Sequence, residues 1–554
     1  MEEAGRITRA AGVVGIFTLL SRVTGLLRDV VVAYLFGARG AADAFFVAFR
    51  LPNMLRRLTA EGALTVAFIP VFTDYLTNHG ADEAKRVARI IFTFATLFLG
   101  GLTLFGIFFA GPLTQLIAPG YLAEKFTLTV SLTRLMFPYI LLVSLVALAM
   151  GILNSFRHFM APAVSPALLN LSIIICAFVL LPFLEKPVVG LAFGVLLGGT
   201  AQLLLQLPFL VRHGVSPAFD FNFGHPALRR MLFLMGPAVF GAAVYQINVF
   251  VTTILASMLP EGSVAYLYYA DRLLQFPLGV FAVSLGTAAL PSFASMVAKK
   301  EFGELKAGLL YSLRLVNFIS LPAALGLMVI SVPVFSLFFQ RGVFGADATV
   351  NTAHALVYFS FGLWGVSGIK VTAPVFYAME DTRTPVWVAF WSFILNLILS
   401  FVLMGEVTAS RDSNVVARAV VAVSQHLSLF SLLHGGLALA TSISATFNFL
   451  VLLLILNRRL GQFPLREFSL SFFRNVLNAL LMALPLFFIV RKFDWIGSSR
   501  DLLTHGAVFL LLLILGTLLY FALTFLLRSP EWPIMRELAL RIKMWAFNKR
   551  FLTS

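Results

Sequence analysis

Cysteine is nearly absent from this chain, and acid is scarce beside base. Of its 554 residues one is cysteine, Cys176, set in the apolar run LSIIICAFVL. A lone thiol forms no internal disulfide and no CxxC metal site, which leaves packing as its role. Charged residues make up 12% of the chain, against about 25% in soluble domains, and that excludes a soluble globular fold. Acids are scarcer than bases, with 25 Asp and Glu against 41 Lys and Arg. The motifs of hydrolysis and phosphoryl transfer are missing too: there is no HExxH, GxSxG or P-loop pattern. The histidines fall in loops, apart from His354 near the start of an apolar run. No enzyme chemistry is therefore expected, and no catalytic residue or bound metal.

What is present is hydrocarbon. Hydrophobic residues make up 60% of the chain, 57 of them Phe, and the mean hydropathy is +0.93. A bilayer-spanning helix needs about 20 apolar residues. Runs of that length recur fourteen times, so the expected fold is an all-α polytopic membrane protein with fourteen transmembrane helices. The first run, 10–37, has a basic start but no small-residue cleavage site, and reads as a spanning helix instead of a removed signal. The second and eighth, 41–76 and 263–297, are too long for one straight span. Each holds a central proline, Pro52 and Pro277, where a bend or break is expected.

The net charge of +16 does not point to nucleic acid, because the bases are scattered through short loops. With the N-terminus placed in the cytoplasm, inside segments outnumber outside segments in Lys and Arg by more than two to one. Both termini are then expected to be cytoplasmic. A weak repeat supports two lobes. Ala48-Phe49-Arg50-Leu51 matches Ala270-Asp271-Arg272-Leu273, Ala67 to Phe72 matches Ala288 to Phe293, and Arg157 to Pro162 matches Glu380 to Pro385. Each copy holds six runs, so the copies share an orientation and relate by an axis along the membrane normal. The expected organisation is two pseudo-symmetric six-helix lobes, 1–215 and 225–457, then two C-terminal helices over 458–527 and a cytoplasmic or interfacial tail, 528–554. Residues 413–430 are expected to form an amphipathic helix on the outer surface.

Arginine is the functional signal. Arg22, Arg28, Arg50, Arg56, Arg57 and Arg272 lie inside apolar runs. A cation at the centre of a span costs about 2.5–3.5 kcal/mol, on the order of 15–20 kcal/mol for six. They are tolerable only in a wet interior, matched by anions. Nearby polar support is limited to Asp29, Asp43, Asn53, Glu61, Asp271 and Gln275. Arg22 and Asp29 share a face at seven residues, whereas Arg28 points roughly 100° away from Asp29. Glu61 sits one turn after Arg57, suited to pair with it. Guanidinium is planar, permanently charged and bidentate toward phosphate oxygens. The arginines left without an acid are expected to bind a diphosphate. The competing reading is buried ion pairs that staple helices together, with Arg50 snorkelling. Arg134, Arg314 and Lys370 are read as structural.

The segments SRVTGLLRDVVVAYLFGA (21–38), DAFFVAFRLPNMLRRLTAEGALTVAFIPVF (43–72) and YYADRLLQFPLGVF (268–281) resemble the MurJ (MviN) family of lipid II flippases, within the multidrug/oligosaccharidyl-lipid/polysaccharide exporter superfamily. The likeness runs through essentially all of spans one to twelve. It implies alternating-access transport of undecaprenyl-diphosphate-linked peptidoglycan precursor, lipid II, from the inner to the outer leaflet of the bacterial cytoplasmic membrane. It places the family's required arginines on Arg22, Arg28, Arg56 and Arg272 and its cavity acids on Asp29 and Asp43. It gives the last two helices a groove for the lipid tail, and it suggests contact with cell-wall synthesis machinery. Two departures matter. Gln275 stands where the family often has an acid. The seventh and eleventh spans, 230–258 and 385–405, contain no Asp or Glu, so no sodium site is expected. Membrane potential is the expected driving force, with no cofactor. The alternatives are a flippase for another polyprenyl-diphosphate glycan, or a membrane enzyme acting on lipid-linked sugars.

Overall fold

The computed structural model describes residues 2–56, 65–216, 218–408, 414–497, 501–529 and 531–533. Among them every regular element is helical and there is no strand. In hydrocarbon each backbone N–H and C=O needs a partner within its own segment, and a helix supplies one. Ten helices are long and apolar enough to cross a membrane. An eleventh is gained if Ala346–Ser360 and Leu363–Ala378, which meet at 42°, form one span. The remaining expected spans fall on the helices Glu2–Phe36, Ala41–Arg56 with Thr65–Asn78, and Pro226–Ser257. The first two of these adjoin residues outside the described set. Fourteen therefore stands as a count of apolar runs, of which the described residues support ten or eleven as spans.

Of the bend or break expected at each proline, the described residues show no break. The helix Ala41–Arg56 runs through Pro52, and residues 57–64 lie outside the described set. The helix Ser263–Pro277 widens after its proline into a π-turn, Leu278–Ala282, and continues as Val283–Ala298. Proline has no N–H to donate to the carbonyl four residues back. A wider turn lets the chain continue without a break.

The chain divides into two compact units. The first comprises Met1–Ala265, Arg341–Phe344 and Glu406–Leu427; the second comprises Tyr266–Gln340, Gly345–Gly405 and Ser428–Ser554. The helix Pro226–Ser257, the seventh run, thus groups with the first unit. Close backbone approach organises each. In the first, a Cβ on Gly194 would lie 2.6 Å from the Ile173 Cα, and one on Gly198 would lie 2.9 Å from the Leu169 Cα. Cys176 is buried in the same contact, its Cβ facing Gly194, in keeping with a packing role. In the second, Gly362, Gly365 and Gly368 form a stripe against Ser442, Thr446 and Phe449. Lipid removes most of the hydrophobic drive between helices, so small residues that allow close van der Waals contact supply it. Hydroxyls inside spans return to their own helix: Thr93 Oγ1 donates to Arg89 O at 2.8 Å, and Thr372 Oγ1 to Gly368 O at 2.9 Å.

Three connecting segments are also anchored. Asp220 docks on the helix Ala81–Phe108: its N–H donates to Thr93 Oγ1 at 2.9 Å, and its carboxylate accepts from Arg86 at 3.3 Å. The Asn222 backbone N–H, with Arg86 and Arg89, holds this carboxyl below its ordinary range against the opposing effect of burial. The expected amphipathic helix is present as Val415–Leu427, burying Ala417, Val420 and Ser424. Asn414 starts it by accepting from Ala417 N at 2.7 Å, and donates to Gln115 O at 2.8 Å. After the last helix, Leu502–Leu526, Glu531 is 1% exposed and accepts from Arg314 Nε at 3.1 Å. Arg314, read from sequence as structural, thus pairs with an acid of its own unit. Residues 534–554, the expected interfacial tail, lie outside the described set.

Candidate functional site

Within the first unit, the helix Glu2–Phe36 sets its arginines in two different environments. Arg28 is 6% exposed and Asp29 1%. The adjacent side chains curl together: Asp29 Oδ1 accepts from Arg28 Nη2 at 2.7 Å and from Nε at 3.1 Å. Arg28 Nη1 donates to Asn170 Oδ1 at 3.1 Å. Asn170 in turn donates to Ser21 O at 3.2 Å and Thr24 Oγ1 at 3.3 Å, fixing the amide so that its oxygen faces the guanidinium. Helical spacing favours Arg22 over Arg28 as the partner of Asp29. The long guanidinium arm overrides the 100° offset, and Asp29 is committed to Arg28. Arg22 is half-buried, and among the described residues it has no hydrogen-bond or ion-pair partner.

The next helix, Ala41–Arg56, carries Asp43, Arg50, Asn53 and Arg56. Arg50 Nη1 donates to Thr253 Oγ1 on the helix Pro226–Ser257, so Arg50 is held in the protein and does not snorkel. Arg56 Nε donates to Asn53 Oδ1 at 2.9 Å, one turn back; both are half-buried. Asp43 is 2% exposed. It accepts from Lys125 Nζ at 2.8 Å, from Gly262 N at 3.0 Å and from Ala265 N at 2.8 Å. Among the described residues it therefore caps the start of the helix Ser263–Pro277 and forms no ion pair with an arginine. Arg57 and Glu61, the expected pair, lie outside the described residues.

In the second unit, Arg272 stands over the Tyr268 ring at 5.9 Å, a cation–π contact. Asp271 accepts from Gln275 Nε2 one turn on. Gln275 thus caps an acid at the position where a second acid would have repelled it. All three are half-buried. Beyond them the π-turn roofs a cavity of about 220 Å³, lined by Pro277, Val280, Phe281, Leu315, Ile319 and Ala323 among others. Of its three hydroxyls, Ser320 and Ser367 are spent on their own helices, on Val316 O at 2.6 Å and Leu363 O at 2.7 Å, while Ser284 reaches Gly279 O only at 3.5 Å. The lining is mainly apolar and carries no charged side chain.

The chemistry available is anion binding. Arg22 holds five donors with no described acceptor, whereas Arg56 donates to the Asn53 amide, Arg272 stands over the Tyr268 ring, and both make further contacts. Among the described residues no three His, Cys, Asp or Glu side chains gather to hold a metal. Sequence reasoning missed Asn170, Thr253 and Lys125. The first two carry a readable signal, a polar residue inside an apolar run. Lys125 reads as one more loop cation.

Residues 32–504 match the family model described as lipid II flippase MurJ. The chain is 36% identical over 522 residues, 93% of its length and 96% of the relative's, to "Lipid II flippase MurJ" of Burkholderia cenocepacia. Its fold resembles the solved structure "Lipid II flippase MurJ, inward closed conformation", with a TM-score of 0.74 and 26% identity over 93% of this chain and 98% of that one. An inward-facing multidrug resistance MATE family transporter of the MOP superfamily matches with a TM-score of 0.64 and 14% identity over 79% of this chain and 94% of that one, a likeness of fold alone.

Proposed function

We propose that this chain, which belongs to the MurJ family of lipid II flippases, moves the undecaprenyl-diphosphate-linked peptidoglycan precursor lipid II from the inner to the outer leaflet of the bacterial cytoplasmic membrane. The observation that carries the reading is Arg22: a half-buried guanidinium with no described partner, in a helix whose only other described span charges, Arg28 and Asp29, satisfy one another. Burying such a cation is unfavourable until an anion arrives. A diphosphate supplies two adjacent phosphates, each matched to a planar fork. In this reading the diphosphate ligands are sought among Arg22, Arg28 and Arg56 of the first unit and Arg272 of the second, with Asp29, Asp43 and Asn53, and Asp271 and Gln275, as polar support within each unit.

The cycle needs no ATP. Ligand binding favours one state of an alternating-access equilibrium by differential affinity. After release outward the arginine set is again net positive. An inside-negative potential draws it back at about 2.3 kcal/mol per charge per 100 mV. The excess of loop cations on one side fits cytoplasmic termini. A substrate made for the cell wall fits contact with the machinery that consumes it.

The test is purified protein in liposomes, with leaflet-resolved accessibility of lipid II beside other polyprenyl-diphosphate glycans. Lipid II is expected to become accessible in the opposite leaflet, and protein-free vesicles to show no such change. Equal movement of every diphosphate glycan makes the chain a general polyprenyl-diphosphate flippase. Movement of none of them ends the reading.

A further inference from the structure

Two helix starts in the first unit exchange caps. The Gly40 N–H, at the head of Ala41–Arg56, donates to Glu261 Oε1 at 2.9 Å. Gly262 and Ala265, at the head of Ser263–Pro277, donate to the two oxygens of Asp43, which lies on the first of these helices. Helix starts carry unpaired N–H groups and partial positive charge, so each carboxylate has a local reason to be there. The exchange also brings two carboxylates together, one of them 2% exposed. Lys125 lies against both, its Nζ 2.8 Å from Asp43 Oδ2 and 3.9 Å from Glu261 Oε1. The ammonium sits over the Tyr121 ring, 4.0 Å from its centroid. Tyr121 is itself buried. The turn before it is pinned, because a Cβ on Gly120 would collide with the Ser257 carbonyl at the end of Pro226–Ser257.

We propose that Lys125 is a positioning residue for transport: it aims the Asp43 carboxylate at Gly262 and Ala265 and so fixes where the next helix begins. Ala265 and Arg272 are seven residues apart, two turns along one face. The start that Asp43 defines is therefore the start from which Arg272 is projected. Lys125 touches no substrate. Its charge lets two acids that cap neighbouring helix starts lie close together, and Tyr121 restricts where that charge can sit. The link to transport rests on the reading that Arg272 contacts diphosphate; the aiming of Asp43 does not.

The experiment uses the full chain in lipid nanodiscs and liposomes with two readouts. In amide hydrogen exchange, Lys125→Met is expected to speed exchange at Gly262 and Ala265 about tenfold, the size of a lost helix cap. Lys125→Arg is expected to stay within about twofold of wild type, because charge and reach survive. Asp43→Asn should loosen the same two amides, and adding Lys125→Met to it should loosen them no further. Lipid II movement should follow the same order, low in Lys125→Met and restored in Lys125→Arg. Wild-type protection of both amides in Lys125→Met overturns the assignment, as does a Lys125→Arg variant as loose as Lys125→Met. If Lys125→Met does not fold, the Arg and Asp43→Asn variants still decide it. If the wild type moves no lipid II, the proposed function fails while the exchange readout still judges Lys125.

Discussion

At the scale of single residues, charges alike in sequence do different work. Arg22 and Arg28 lie on one helix, yet Arg28 has a carboxylate and an amide and Arg22 has no described partner. This separates binding from stability. Arg22→Ala is expected to abolish lipid II movement and to change thermal stability by no more than about 0.5–1 kcal/mol, since no described ion pair is lost. Arg28→Ala should also stop movement, but at a stability loss of about 3–5 kcal/mol, because Asp29 is left buried and uncompensated. Arg28→Ala with Asp29→Ala should regain most of that stability and none of the movement. A melting series on detergent-purified variants beside the liposome assay checks all three. A stable, inactive Arg28→Ala would mean that the pair contributes little to the fold.

At the scale of elements, glycine spacing decides which helices touch. Gly362, Gly365 and Gly368 bring Leu363–Ala378 against His434–Leu460, and a Cβ on Gly365 would meet the Thr446 Cα at 2.6 Å. Backbone cannot yield as a flexible side chain can. Gly365→Leu is therefore expected to destabilise the protein by about 1–3 kcal/mol or more. Gly326 has open space around its Cβ position, so Gly326→Ala should be neutral or stabilise by up to about 1 kcal/mol through helix propensity. Melting temperatures of the two variants decide the matter, and equal shifts would remove the packing argument. Proline shows the opposite lesson. Pro52 and Pro277 both sit inside helices, one passed without a break and the other succeeded by a π-turn. The same missing hydrogen bond thus has two outcomes in one chain.

At the scale of the whole molecule, charge sets the energetics of the cycle. The chain carries +16 overall, and the proposed reset uses only the part of that charge within the membrane field. Collapsing an inside-negative potential across proteoliposomes is expected to slow lipid II movement severalfold, while leaving the binding of lipid II to detergent-purified protein unchanged. Movement that ignores the potential would leave the reset to an ion gradient or to the substrate's own concentration difference. The family match makes the chain a lipid II flippase, a transporter without an ATPase motif.

The amino-acid order alone determined the membrane class, the helical fold and the arginine signature. Hydrocarbon accepts only backbone that satisfies itself, and a buried cation demands an explanation wherever it occurs. It also made the amphipathic helix Val415–Leu427 readable, because apolar periodicity is local. It did not determine who neutralises whom. Arg28 and Asp29 diverge on a helical wheel and meet in space. Asp43, a cavity acid by family resemblance, caps Gly262 and Ala265. Lys125, a loop cation in sequence, joins two acids in the fold. Long side chains reach several ångströms from their Cα, and partners distant in sequence meet only once helices have packed. The arginines proposed to bind an anion were thus legible in composition and spacing, while the partners each of them meets were decided by tertiary structure.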